Sequence, residues 1–171
     1  MAFTYEMIQT ATLVSSQASI TFSSIPSTYT DLVLVGSAQS AASGRDSIGI
    51  AVNGSGSPIY SRTYLEANGT SVTSGRQSSQ IRIVSDYIMG TSGVPDFGTY
   101  TWNFMNYSNT TTKKTVLFRG SNTQVSGGWN SSAMIYLVNT VSAINSLTIA
   151  TMNGPNLAAG STFTLYGIKA A

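Results

Sequence analysis

Apolar residues in this chain come in short alternating runs, and each run ends at a cluster of Gly, Asn, Ser or Pro. That pattern is the strongest constraint on the fold. In QASITF the set Ala18, Ile20 and Phe22 shares one side, and in DSIGIAV so do Ile48, Ile50 and Val52. In GTYTWNFMNY, Tyr100, Trp102 and Phe104 stand against Thr99, Thr101 and Asn103. A period of two puts each set on one face of a β-strand. DLVLVG, after a corner at Ile25–Pro26, reads as a strand buried on both sides. IYSRTYLEA, SQIRIVSDYIM, KKTVLFRG, AMIYLVN, INSLTIAT and STFTLYGI bring the set to nine or ten strands. In the last of these, Phe163 and Leu165 face the core, opposite Thr162, Thr164 and Tyr166. NGSGSP and NGTSVTSG read as breaks between strands. No window of a dozen residues carries the i, i+3, i+4, i+7 apolar repeat of an amphipathic helix.

Many short strands at regular spacing predict an all-β fold, an antiparallel two-sheet β-sandwich of jelly-roll-like form. At 171 residues it forms one domain, assigned to residues 14–171. Residues 1–13 are expected to extend as an N-terminal arm. Their apolar side chains, Phe3, Tyr5, Met7, Ile8 and Leu13, have no evident place inside a closed sandwich, so the arm is expected to pack on a neighbouring subunit or on the surface to which the protein is bound.

Composition removes most chemistry. The sequence has no His and no Cys, which excludes disulfides, imidazole or thiolate metal sites, and Ser-His-Asp or Cys nucleophile machinery. Six carboxylates, Glu6, Asp31, Asp46, Glu66, Asp86 and Asp96, are scattered singly, with no spacing that pairs them as acid and base. Neither an enzyme, a cofactor nor a metal ion is expected. Charged residues are 8% of the chain, against roughly 25% in ordinary soluble proteins, so the polar surface is built from Ser, Thr, Asn, Gln and Gly. Such a surface is poorly protected from association by charge repulsion and suits a place in an assembly. Net charge is +2 and no basic run exceeds Lys113–Lys114, too sparse for nucleic-acid binding. MAFTYEMIQTATL lacks the basic and apolar regions of a secretory signal, and no 18-residue apolar stretch suits a membrane.

Few motifs stand out. Sequons at Asn53, Asn68, Asn106, Asn109 and Asn130 match the frequency of Asn, Ser and Thr. On a strand, Tyr60, Arg62 and Tyr64 face one way, placing the guanidinium over a ring, a composition common at interfaces. Trp129, after Gly127–Gly128, is expected in a loop, either closing the end of the sandwich or, with Tyr107, stacking on a sugar ring. Asp31 and Asp86 are candidates for capping turns or binding a cation.

Several segments carry a resemblance. MAFTYEMIQTATL, SITFSSIPSTYTDLVLVGSA, NYSNTTTKKTVLFRG, INSLTIA and GSTFTLYGIKAA resemble small structural proteins of tailed-bacteriophage virions, and together they run over most of the chain. The resemblance implies a non-enzymatic virion protein. With a compact single domain and no shaft, it implies a capsid cement or decoration protein on the outer capsid surface, a homotrimer bound to the major capsid protein. The alternative is a tail-tip, short-fibre or head-fibre module binding host-surface carbohydrate. Partner contacts are expected at Phe3, Tyr5, Met7, Ile8, Tyr60, Arg62, Tyr64 and Trp129.

Overall fold

The structure is a computed structural model that describes residues 4–44, 46–88, 97–123 and 129–169, with the backbone alone at 86–88, 123 and 129. Among the described residues there are twelve strands and no helix. They are β1 (Tyr5–Thr12), β2 (Ser19–Phe22), β3 (Asp31–Ala38), β4 (Asp46–Val52), β5 (Tyr60–Ala67) and β6 (Val72–Gln80). The second half adds β7 (Ile83–Ile88), β8 (Gly98–Met105), β9 (Lys114–Thr123), β10 (Trp129–Val138), β11 (Leu147–Thr151) and β12 (Thr162–Ile168).

All pairings are antiparallel, in an eight-stranded sheet β1-β12-β3-β8-β9-β10-β5-β6 and a four-stranded sheet β2-β11-β4-β7. The expected all-β sandwich is what the chain forms. Its connectivity has two parts. Strands β1, β2, β3 and β4 alternate between the sheets and pair with β12, β11, β8 and β7 on the return, which is a jelly-roll-like winding of eight strands. The remaining four strands are the hairpins β5–β6 and β9–β10. Both extend the large sheet on the same side, joined to each other by β10 and β5. They form a wing on the wound strands.

Alternation decides which side chains meet between the sheets. Leu32, Leu34, Tyr100, Trp102, Phe104, Val116, Phe118, Phe163 and Leu165 are buried from the large sheet, and Ile20, Phe22, Ile48, Ile50, Val52, Leu147 and Ile149 from the small one. Trp102 and Phe118 are cross-strand partners with ring centroids 5.2 Å apart, and Tyr100 stacks on Phe118 at 6.4 Å. Glycine makes room for such rings. A Cβ at Gly36 would lie 2.7 Å from the Phe163 ring, and one at Gly120 2.6 Å from that of Phe118. Tyrosine hydroxyls then tie sheet to sheet. That of Tyr136 on β10 donates to the Val84 carbonyl of β7 and accepts from the Val84 amide at 3.1 Å. That of Tyr60 on β5 accepts from the amide of Val52, at the end of β4, at 2.9 Å.

Five expectations change. DLVLVG is not buried on both sides, since Val35 on its outward side is 42% exposed. Residues 5–12 do not extend from the domain: they are β1, hydrogen-bonded along β12, because an open sheet edge satisfies their backbone groups. NGTSVTSG is not simply a break, since β6 begins at Val72 within it. SQIRIVSDYIM is not one strand: β6 ends at Gln80 and β7 begins at Ile83, with Ser79 at φ 58° next to the bend. Trp129 opens β10 rather than sitting in a loop.

Candidate functional site

The expected contact residues scatter. Tyr5 and Met7, on the outward side of the edge strand β1, are exposed. Ile8 sits at the bulge between Met7 and Gln9 and packs partly against the core. Tyr60 is 1% exposed and belongs to the core, so it cannot serve a partner; burial raises its hydroxyl pKa. Arg62 lies over the Tyr64 ring, as the spacing predicts, 5.0 Å from its centroid. It turns inward, however, donating through Nε to Gln77 at 2.9 Å and through an Nη to the Tyr136 hydroxyl at 3.2 Å. Arg62 therefore closes the core beneath the wing, and Tyr64 packs against that core. Tyr107 is fully buried, its hydroxyl donating to the Pro26 carbonyl, so it cannot stack on a sugar. Phe3 and the side chain of Trp129 lie outside the described residues.

Polar side chains with apparent chemistry turn out to be building elements. Asp31 accepts from the Asn106 amide at 2.6 Å and so caps the turn after β8. Buried Asp46 accepts from the Ser47 amide at 2.7 Å and from Asn153 Nδ2 at 2.8 Å, clasping β4 to the segment after β11. Asn68 and Asn109 head two copies of one turn. Each side-chain oxygen accepts from the amides and hydroxyls of the residues two and three ahead, Thr70 and Ser71 or Thr111 and Thr112. These sequons are turn grammar, an Asx-turn with hydroxyls in support. Asn53, at φ 52°, accepts from the Asn145 and Ser146 amides and donates to the Ala143 carbonyl, joining two loops. Among the described residues no group of three or more acidic side chains is placed to hold a metal ion.

The outer face of the wing carries several large aliphatic side chains on neighbouring strands that have no internal task. Alternation on β9, β10 and β5 sends Val116, Phe118, Met134 and Tyr136 inward, so it sends Leu117, Ile135, Leu137 and Leu65 outward. There they are 39%, 55%, 41% and 51% exposed. Leu117 pairs with Ile135 across the β9–β10 ladder, and Ile135 with Thr63 on β5. Leu65, Leu117 and Ile135, with Asn103 and Arg119, line a shallow open trough of 630 Å³. Large outward aliphatics on neighbouring strands form a contiguous patch, the surface feature that marks interaction sites. The sequence reading missed this patch, because it assigned partner contacts to aromatic residues.

The chain matches no protein-family model, no curated protein and no solved structure.

Proposed function

We propose that this chain is a non-enzymatic structural protein of a tailed-bacteriophage virion, held on the outer capsid surface as a cement across capsomer junctions. The observation that carries the reading is the aliphatic outer face of the wing, left in water on a scaffold whose Asp31, Asp46 and Asn109 are occupied in turns and clasps. The low charge of the chain and its resemblance to virion proteins support the same reading. The mechanism is adhesive. Covering aliphatic surface contributes about 25 cal/mol per Å² removed from water. A copy seated across a junction adds that amount to the work of separating two capsomers. Rigidity is part of the mechanism, since a patch on paired strands loses little conformational entropy when covered.

Particles made without the protein test the reading. They are expected to assemble but to break at lower temperature or under osmotic shock, and normal particles are expected to hold hundreds of copies. Unchanged particle stability with lost adsorption to the host, and only a handful of copies, would move the protein to the tail and to host carbohydrate.

A further inference from the structure

The trough carries charge of one sign only. Arg119 borders it on β9 and also lines a second hollow with Thr99, Thr101 and Ser121. Arg76, paired with Thr63 across β5–β6, faces the same way, and with Lys113 it lines a polar pocket of 280 Å³ beside Leu137. None of these three cations meets a carboxylate among the described residues, where the single ion pair is Lys169–Glu6. The described carboxylate side chains lie elsewhere. Glu6 serves Lys169 and Tyr29 at the far edge of the sheet. Asp31 is held by the Asn106 amide, and Asp46 is buried. Glu66 alternates with Leu65 and so falls on the opposite face of β5.

We propose that this face docks a different protein chain, whose surface is apolar at its centre and carries carboxylates that meet Arg119, Arg76 and Lys113. A second copy is a poor occupant. A two-fold contact sets the patch against itself, which brings aliphatic to aliphatic but also cation to cation, with no carboxylate among the described residues of the patch to receive them. An acidic partner satisfies both halves of the patch. Size agrees: five or six strands at about 4.8 Å spacing and about eight residues of rise give several hundred Å², near the ~800 Å² per partner of a standard interface. The inference rests on the virion reading only for the partner's identity, a capsid subunit.

The probe is purified particles that lack the protein, mixed with purified wild-type or variant chain, with bound copies counted after sedimentation. Thermal melting first confirms that each variant folds. Wild type is expected to bind saturably, and less well as salt rises. Arg119→Glu and Leu65→Glu are each expected to lower affinity about tenfold or more, while Arg119→Lys keeps most of it. Thr21→Glu, on the outward side of the small sheet and so on the opposite side of the sandwich, is expected to bind like wild type. If wild type does not bind, the virion reading fails and this proposal with it. If wild type binds and Arg119→Glu and Leu65→Glu bind equally well, the virion reading stands and the assignment of the face is overturned. Analytical ultracentrifugation supplies the other overturning result: a wild-type oligomer that Leu65→Glu dissociates would make the occupant a second copy.

Discussion

The outer face of the large sheet has two halves, and they leave different groups to water. On the wound strands, threonines face each other across the ladder: the hydroxyls of Thr10 and Thr164 are 2.9 Å apart and those of Thr12 and Thr162 3.1 Å. The outward side of the small sheet repeats the device with Thr21 and Thr148 at 3.1 Å. On the wing the corresponding positions hold Leu117, Ile135 and Leu65. Both residue classes suit a strand, because β-branched and aliphatic side chains pack on a pleated surface. They differ in the value of being covered. A threonine pair already has hydrogen bonds and water, so removing it from water contributes little. An exposed leucine or isoleucine gains from any apolar neighbour. The wound half has exposed apolar groups too, Val35 within the ladder on β3 and Tyr5 and Met7 on the edge strand β1, but there they stand among threonines rather than as a run of large aliphatics on neighbouring strands. Since the wing lies outside the jelly-roll-like winding, its outer surface can be specialised without altering how the eight wound strands close.

The largest effect that tests this division contrasts two neighbours on β9. Phe118 is 1% exposed and stacks with Tyr100 and Trp102, whereas Leu117 points outward into the trough. Phe118→Ala is expected to destabilise by about 3–5 kcal/mol, through lost burial and the cavity left behind. Leu117→Ser is expected to change stability by less than about 1 kcal/mol. Urea denaturation of both variants measures the contrast. A comparable loss at Leu117 would mean that the outer face belongs to the fold and is not kept for a partner.

How much of this was legible in the sequence depends on burial. Strands with one buried face announced themselves, as with Tyr100, Trp102 and Phe104, or Phe163 and Leu165, all buried where alternation put them. The two strands that escaped detection, β1 and β6, are the edges of the large sheet. β6 has no buried residue at all, so its sequence VTSGRQSSQ carries no period of two. Its Gly75 instead lies under the Tyr64 ring, where a Cβ would come within 2.8 Å of ring carbon. A local rule reads that glycine as a turn. The docking face was legible in principle. TVLF and MIYLV are apolar at both parities, which on a strand with one buried side means exposed aliphatics on the other. From one chain, that pattern cannot be distinguished from a strand buried on both sides, as DLVLVG was read. The topology that places the wing at the rim of the sandwich makes the choice.

The junction between wing and wound strands offers the next test. Lys114, at the start of β9, is fully buried, and its Nζ donates to the carbonyls of Thr112 at 2.8 Å and Val141 at 3.0 Å. It thereby pins the loop entering β9 to the loop through which the chain leaves the wing. Lys114→Met keeps the stem but strands both acceptors, with an expected loss of about 1–3 kcal/mol. Burial holds the Lys114 pKa below its ordinary 10.5. Between the folded value and 10.5 the unfolded chain therefore binds more protons, and stability rises with pH through that window. Buried Tyr60 and Tyr136, with hydroxyl pKa values raised above 10.0, pull the other way in both proteins, so the measure is the difference in melting temperature between wild type and Lys114→Met, which is expected to grow in favour of wild type as pH approaches 10.5. A difference that stays constant over that range would remove Lys114 as the source of the rise.

The smallest effect belongs to the opposite edge. Lys169, just after β12, reaches Glu6 on β1 at 2.8 Å, the Tyr29 hydroxyl donates to the other Glu6 oxygen at 3.0 Å, and the Lys169 ammonium lies 5.5 Å from the Tyr29 ring centre. The hydrogen bond from Lys169, followed by that from Tyr29, lowers the Glu6 pKa below 4.5, and the bond to Glu6 raises that of Lys169 above 10.5. The Glu6 contribution is therefore present above pH 4.5 and lost as pH falls through its folded value. The Lys169 contribution is present below pH 10.5 and lost as pH rises through its folded value. Because these groups are exposed and screened by solvent, Glu6→Gln is expected to lower the melting temperature only slightly near neutrality. That difference should close in acid, where wild-type Glu6 is itself neutral, and again in strong base. Exchange of the β1 amides, read by NMR, is the more sensitive measure. In Glu6→Gln they should exchange faster near neutral pH, whereas the β9 and β10 amides should keep their wild-type rates. Faster exchange in the wing as well would show that the two ends of the sheet open together, which would break the division between wound strands and wing.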